Sequence, residues 1–272
     1  MKKWTTLSLV SLLSLTLAAC GGDEDGPVRI GISGSDTRIW DFVAEKAEEE
    51  DIEIEIVTFS DYVQPNIALS EGELDLNAFQ TISYFDDFIE ERELDLAPIA
   101  STVIAPMALY SEKIASIEEL PEGATIAVPN EATNLGRALL LLEEAGLIEL
   151  SDEAGLTGTE QDITSNPKNI EILPVVAGQA PRSLPDVDAA IINNGIAVDA
   201  GFSPVNDSIF RESDTATPYI NIIAAQSEDT DREDLQRIGE LYQEDDVAEF
   251  IEEEYDGGMI PTFIPVEDLT DY

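Results

Sequence analysis

Three consecutive pieces decide the fold: Val28-Arg-Ile-Gly-Ile-Ser33, then Thr37-Arg-Ile-Trp-Asp-Phe-Val-Ala-Glu-Lys-Ala-Glu-Glu-Glu50, then Ile52-Glu-Ile-Glu-Ile-Val-Thr-Phe59. The first is short, apolar and β-branched. The second sets Trp40, Phe42, Val43 and Ala47 on one side at helical spacing, and the third alternates apolar with acidic residues. Strand, helix and strand in immediate succession predict a parallel α/β sheet. Working outward, helices are expected over Asp61 to Leu69 and Ser83 to Glu91, flanking a turn at Glu71-Gly72-Glu73. Strands are expected at Ala124 to Val128, Ile170 to Val176, Val187 to Ile192 and Tyr219 to Ala225. A helix over Asn134 to Ala145 is closed by Gly146, and two more cover about Arg232 to Tyr242 and Asp246 to Glu254. Two long apolar segments, 97–110 and 217–225, suit paired crossovers joining two α/β lobes, with a ligand cleft between them. The expected division is 27–106 plus 219–272 for lobe 1 and 107–218 for lobe 2.

Ahead of this body stands a leader. Lys2-Lys3 precede an apolar run from Leu7 to Ala19, shorter than the roughly 20 residues a membrane span requires. It ends Leu17-Ala18-Ala19-Cys20, which resembles the bacterial lipobox. Residues 1–19 then read as a signal peptide, Cys20 as the lipidated first residue of the mature chain, and 20–26 as a flexible tether. The expected location is the cell envelope, membrane-anchored through Cys20 and facing the periplasm or exterior.

Composition narrows the function. The chain has 58 acidic against 13 basic residues, a formal charge of −45, with a hydrophobic content of 43% that fits a folded globule. Such a charge excludes nucleic acid as a partner. The acids are scattered along the whole chain, which reads as a surface adapted to high salt. One cysteine and no histidine exclude an internal disulfide, Cys-based metal clusters and imidazole chemistry. With no Gly-x-Ser-x-Gly elbow and no phosphate loop, the expectation is a non-enzyme without metal or cofactor.

Several stretches carry a resemblance. They include Phe59-Ser60-Asp61-Tyr62 with Pro65-Asn66-x-Ala68-Leu69, Asp75-x-Asn77-x-Phe79-Gln80 with Tyr84, and Pro106-Met107-x-Leu109-Tyr110-Ser111. Further on come Asn134-x-Gly136-Arg137-Ala138-Leu139, Arg182-Ser183-Leu184-x-Asp186-Val187-Asp188, Ile192-Asn193 and Pro218-Tyr219-x-Asn221-Ile222-Ile223. Taken in order, they resemble the NlpA family, the methionine-binding lipoproteins that serve ABC importers. The resemblance implies a two-lobed periplasmic-binding-protein fold, type II-like, closing on an amino acid, L-methionine first. A methionine-containing dipeptide or another apolar amino acid is the alternative. It further implies a monomeric receptor that hands its ligand to an ABC permease and ATPase complex. A surface lipoprotein with a structural role is the competing reading from another class.

An amino acid offers a carboxylate, an ammonium and a side chain. An arginine fork suits the first, and Arg137 follows Asn134-Leu135-Gly136 at a helix start. On chemistry alone a clamp and a structural salt bridge are equal readings; the resemblance implies the clamp. Arg182 is expected to pair with Asp186 or Asp188. Asn193 and Asn221 match family positions for the ammonium, with Asn194 the alternative to Asn193. Tyr62, Phe79 and Tyr84 match the family's aromatic positions, an apolar sleeve suited to a thioether, and Tyr219 is left open. Thr81 stands where the family usually has histidine, leaving room for a larger ligand or a water. Gly195-Ile196 also replaces the polar-aromatic pair usual after this asparagine.

Overall fold

A computed structural model describes residues 26–213 and 217–270; the expected signal peptide and Cys20 lie outside the described residues. The chain opens β1 (Val28–Ser33), α1 (Arg38–Glu48), β2 (Ile54–Phe59), α2 (Gln64–Ser70), β3 (Leu76–Thr81), α3 (Ile82–Arg92) and β4 (Leu96–Ile104). It passes to β5 (Ala108–Tyr110), β6 (Thr125–Pro129), α4 (Ala132–Glu144), a small ribbon of β7 (Glu149–Leu150) and β8 (Ile163–Ser165), and β9 (Glu171–Val175). There follow α5 (Ala180–Ser183), β10 (Ala189–Ile192), α6 (Asn194–Asp199) and β11 (Ser208–Arg211), before β12 (Ile220–Gln226), α7 (Glu233–Tyr242), α8 (Asp245–Tyr255) and β13 (Ile260–Pro261).

Two mixed sheets result, one per lobe. The first runs β13-β4-β12-β3-β1-β2 and the second β11-β5-β10-β6-β9. β1 is parallel to both β2 and β3, as the opening strand–helix–strand pattern requires. The chain crosses between sheets twice, from β4 to β5 and from β11 to β12. The apolar stretch from Leu96 to Tyr110 is therefore not continuous: Ala105-Pro106-Met107 break it, and its two halves pair in different sheets. Pro106 lacks the N–H a ladder needs, which favours the break there.

Each sheet is covered on both faces. Val28, Ile30 and Ile32 of β1 are buried because α1, α7 and α8 pack over one side, with Val43, Ala47, Leu235, Ile238 and Ile251 in the same cluster. Trp40 and Tyr242 close that layer with ring centroids 5.3 Å apart. Leu69 of α2 and Phe85 of α3 fill the opposite layer. In the second sheet Ile126 and Val128 pack on Leu139 and Leu142 of α4. Each such fully buried side chain contributes about 1.5–3 kcal/mol.

Local chemistry adjusts the expected boundaries. The helix expected from Asp61 starts at Gln64, because the Asp61 carboxylate accepts the N–H groups of Val63 and Gln64, both at 2.8 Å. Gly136 in α4 is required by a close approach: a Cβ there would lie 2.1 Å from the Leu156 carbonyl oxygen.

Candidate functional site

Between the sheets lies a cleft, open at one side, that encloses about 1060 Å³ including its solvent-filled mouth. Tyr62, Phe79, Thr81, Tyr84, Arg137, Asn193 and Asn221, named from the sequence, all line it. They come from five places: the turn before α2, the end of β3 into α3, the first turns of α4, the end of β10, and the start of β12.

The aromatic three form one triangle. Ring centroids are 5.9 Å apart for Tyr62–Phe79 and 6.2 Å for both Tyr62–Tyr84 and Phe79–Tyr84. The Tyr84 hydroxyl donates to the Tyr62 carbonyl at 2.8 Å, fixing the corner. Burial pushes both phenols well above their ordinary range, so they are neutral donors rather than charges. Thr81 caps α3, its hydroxyl accepting the Tyr84 N–H at 3.3 Å. Across the sheet it stands opposite Asn221.

Behind this wall sits a closed amide network. Asn66 and Gln80 exchange hydrogen bonds of 2.7 Å in both directions, and Asn77 donates to Asn66 at 2.8 Å. Gln80 also donates to Asn77 at 3.0 Å, and all three side chains are buried. The Pro-Asn and Asp-x-Asn-x-Phe-Gln motifs thus brace the strand that carries Phe79.

At the polar end, Arg137 differs from the expectation of a free fork. Its Nε lies 2.9 Å from Glu212 Oε1, and Nη2 lies 2.5 Å from Oε2, so the bidentate edge is already occupied. Nη2 also donates to Ala105 O at 3.1 Å, and the guanidinium lies 4.2 Å over the Tyr219 ring. Burial pushes the Tyr219 phenol up to about 12, Arg137 pulling it down and Glu212 up. The salt-bridge reading holds on the Nε–Nη2 edge, which is therefore not open to a ligand. Nη1 makes no hydrogen bond to a described residue.

Asn193 donates to Asn134 Oδ1 at 3.1 Å, while its own Oδ1 is buried without a partner among the described residues. Such an orphaned acceptor is costly unless something donates to it. Asn221 donates to Val103 O at 3.2 Å. Asn194 instead turns to Gly258 O at 2.6 Å and Pro106 O at 3.4 Å, bridging the lobes. Arg182 does not meet Asp186 or Asp188; it reaches Gln179 at 3.4 Å. Asp188 is engaged by the Thr125 N–H at 2.9 Å, where β6 and β10 pair.

Further groups border the cleft that sequence reasoning missed: Trp40, Tyr242, Tyr255, Met259, Asp36 and Asp199. Burial alone would raise the Asp36 carboxyl, but hydrogen bonds from Arg38 and Tyr255 hold it below its usual range. Asp199, at the end of α6, accepts the Ser35 N–H at 3.0 Å and the Ser35 hydroxyl at 2.9 Å. That contact fastens the second lobe to the first across the cleft. Motif spacing carries no trace of it, since Ser35 and Asp199 are far apart in sequence.

The chain and its fold are similar to those of known proteins. A Salmonella typhimurium protein named D-methionine-binding lipoprotein MetQ is 42% identical over 266 residues, 95% of this chain and 98% of its own. The crystal structure of PG110 from Staphylococcus aureus matches with a TM-score of 0.86 and 41% identity, over 89% of this chain and 97% of that one. A nutrient-binding protein from Burkholderia cenocepacia, solved bound to methionine, matches at 0.83 and 40%, over 87% and 100%. The model of the NlpA lipoprotein family matches residues 28–263. From β1 to the segment after β13, the chain belongs to the NlpA lipoprotein family, which is one of substrate-binding lipoproteins and not of enzymes.

Proposed function

We propose that this protein is a lipid-anchored extracytoplasmic receptor, held through Cys20, that delivers L-methionine to an ABC importer. One observation carries the reading: a single cleft brings together an aromatic triangle, an arginine nitrogen and an asparagine acceptor, the last two without partners among the described residues. The thioether fits the sleeve of Tyr62, Phe79 and Tyr84. The carboxylate takes Nη1 of Arg137, and the ammonium donates to Asn193 Oδ1, with Asn221 alongside. Such a ligand touches both lobes and favours their closed arrangement. The two lobes then dock as a unit on the permease, and no bond is made or broken.

A second reading, a methionine-containing dipeptide, is favoured by the further apolar and aromatic lining. Besides the aromatic triangle, Trp40, Tyr242, Tyr255 and Met259 border the cleft. Thr81, small and engaged in capping α3, adds no bulk to close it off.

Titration calorimetry in high salt with L-methionine, D-methionine and glycyl-L-methionine tests the assignment. L-Methionine is expected to bind most tightly, with one site per chain. No heat with any of the three at high protein concentration refutes the reading, and tightest binding of the dipeptide replaces it with the second.

A further inference from the structure

The charge of the cleft's arginine is cancelled from behind. Glu212 takes Nε and Nη2 of Arg137, and the same Oε2 accepts the Met107 N–H at 3.1 Å. The Glu212 N–H returns to Met107 O at 3.0 Å. Ala105 and Met107 lie between β4 and β5, whereas Glu212 and Tyr219 lie between β11 and β12. The pair is therefore fastened to both segments that join the lobes. Arg137 and Glu212 have side chains only 4% and 10% exposed; Arg137 borders the cleft, and Glu212 does not.

We propose that Glu212 sets both the strength and the charge selectivity of ligand binding. By occupying the fork and neutralising it, Glu212 leaves the cleft a single guanidinium nitrogen with little net charge behind it. A carboxylate on Nη1 is attracted by Arg137 and repelled by Glu212 on its far side. At an effective dielectric of about 20, two carboxylates roughly 6–7 Å apart weaken binding by about ten- to a hundredfold. The consequence is a grip loose enough to release, and a site matched to zwitterions rather than anions. Glu212 acts through Arg137 and is a positioning residue. The inference rests on reading Arg137 as the contact for the ligand carboxylate.

The test is calorimetry with L-methionine and L-methioninamide, plus melting with and without ligand, on the wild type, Arg137→Met, Glu212→Gln and the double variant. Glu212→Gln keeps the side chain's shape but leaves a buried cation unpaired until ligand arrives. It is expected to melt lower when empty, bind L-methionine about ten- to a hundredfold more tightly, and gain more melting temperature from ligand than the wild type. The double variant, lacking both buried charges, is expected to melt near the wild type and bind no methionine. A Glu212 that merely props up the fold would lower empty and loaded melting equally and weaken binding, which overturns the proposal. The wild type supplies an independent arm. A neutralised arginine should distinguish the acid from its amide by no more than about tenfold, and a preference above a thousandfold for the acid overturns the proposal even if Glu212→Gln fails to fold. If Arg137→Met binds like the wild type, the carboxylate reading itself fails. If Arg137→Met loses binding while Glu212→Gln does not tighten it, only the role given to Glu212 fails.

Discussion

Gly34 offers the sharpest handle on closure. It lies between β1 and α1 at φ +99°, a backbone region that side chains rarely adopt. A Cβ placed there would lie 2.4 Å from Asp199 Oδ2, the carboxylate that accepts two hydrogen bonds from Ser35 across the cleft. Gly34→Ala therefore acts twice. Backbone strain of about 1–2 kcal/mol is paid in open and closed forms alike, so it lowers stability without changing affinity. The clash arises only where the lobes bring Asp199 against Ser35. Relieving it moves the carboxylate by more than half an ångström and breaks its bonds to Ser35. Bonds to a charged group contribute about 1.5–3 kcal/mol each when well shielded; at this exposed position a total of about 1–2 kcal/mol is appropriate. That corresponds to about a five- to thirtyfold loss of affinity. Asp199→Ala removes the same bonds without a clash and should lose a similar amount. The double variant should then bind no worse than Asp199→Ala alone, a non-additivity that calorimetry reads directly. Binding of methionine by Gly34→Ala within twofold of the wild type would refute the reasoning.

Phe79→Ala opens the aromatic triangle and is expected to weaken methionine binding by about 1.5–3 kcal/mol, tenfold or more by calorimetry, while the unfolding midpoint moves little. Asn66→Ala orphans buried groups on Gln80 and Asn77 and should cost about 2–3 kcal/mol of stability, read as a lower urea midpoint at unchanged slope. Raising potassium chloride from about 0.1 M to 2 M, which shortens the screening length from about 10 Å to below 3 Å, should raise the melting temperature of this chain of charge −45; a flat or falling profile sinks the salt-adapted reading of its surface.

The opening β–α–β unit was legible because both of its signals are local. β1 alternates, with Val28, Ile30 and Ile32 buried on one face and Arg29 part-exposed on the other, and α1 packs along the side that Trp40, Val43 and Ala47 mark. The interruption of the apolar 97–110 segment at 105–107 is not legible, because an apolar strand entering a second sheet has the composition of one that continues in the first. In the site, Tyr62, Phe79, Arg137 and Asn193 were reachable only through the order of motifs along the chain. Periodicity alone assigns aromatics at such spacings to a core. Glu212 was invisible for another reason: among so many acids, nothing in its neighbourhood marks the one that meets Arg137 from 75 residues away. Arg182 meets Gln179 rather than Asp186 or Asp188 for a related reason: closeness in sequence does not make closeness in space.

The position of β12 governs how this molecule is assembled in time. It lies between β4 and β3, joining them, yet belongs to residues 220–226, after every strand of the second sheet. Until it arrives, β3 and β4 share no neighbour and each presents an open edge to other chains. The second sheet draws all five strands from residues 108–211 and closes with shorter loops. Contacts of high sequence separation form slowly, so pulse-labelled hydrogen exchange during refolding should protect β6 and β10 before β3 and β12. The ligand-binding cleft, needing both halves, is then the last part of the molecule to exist.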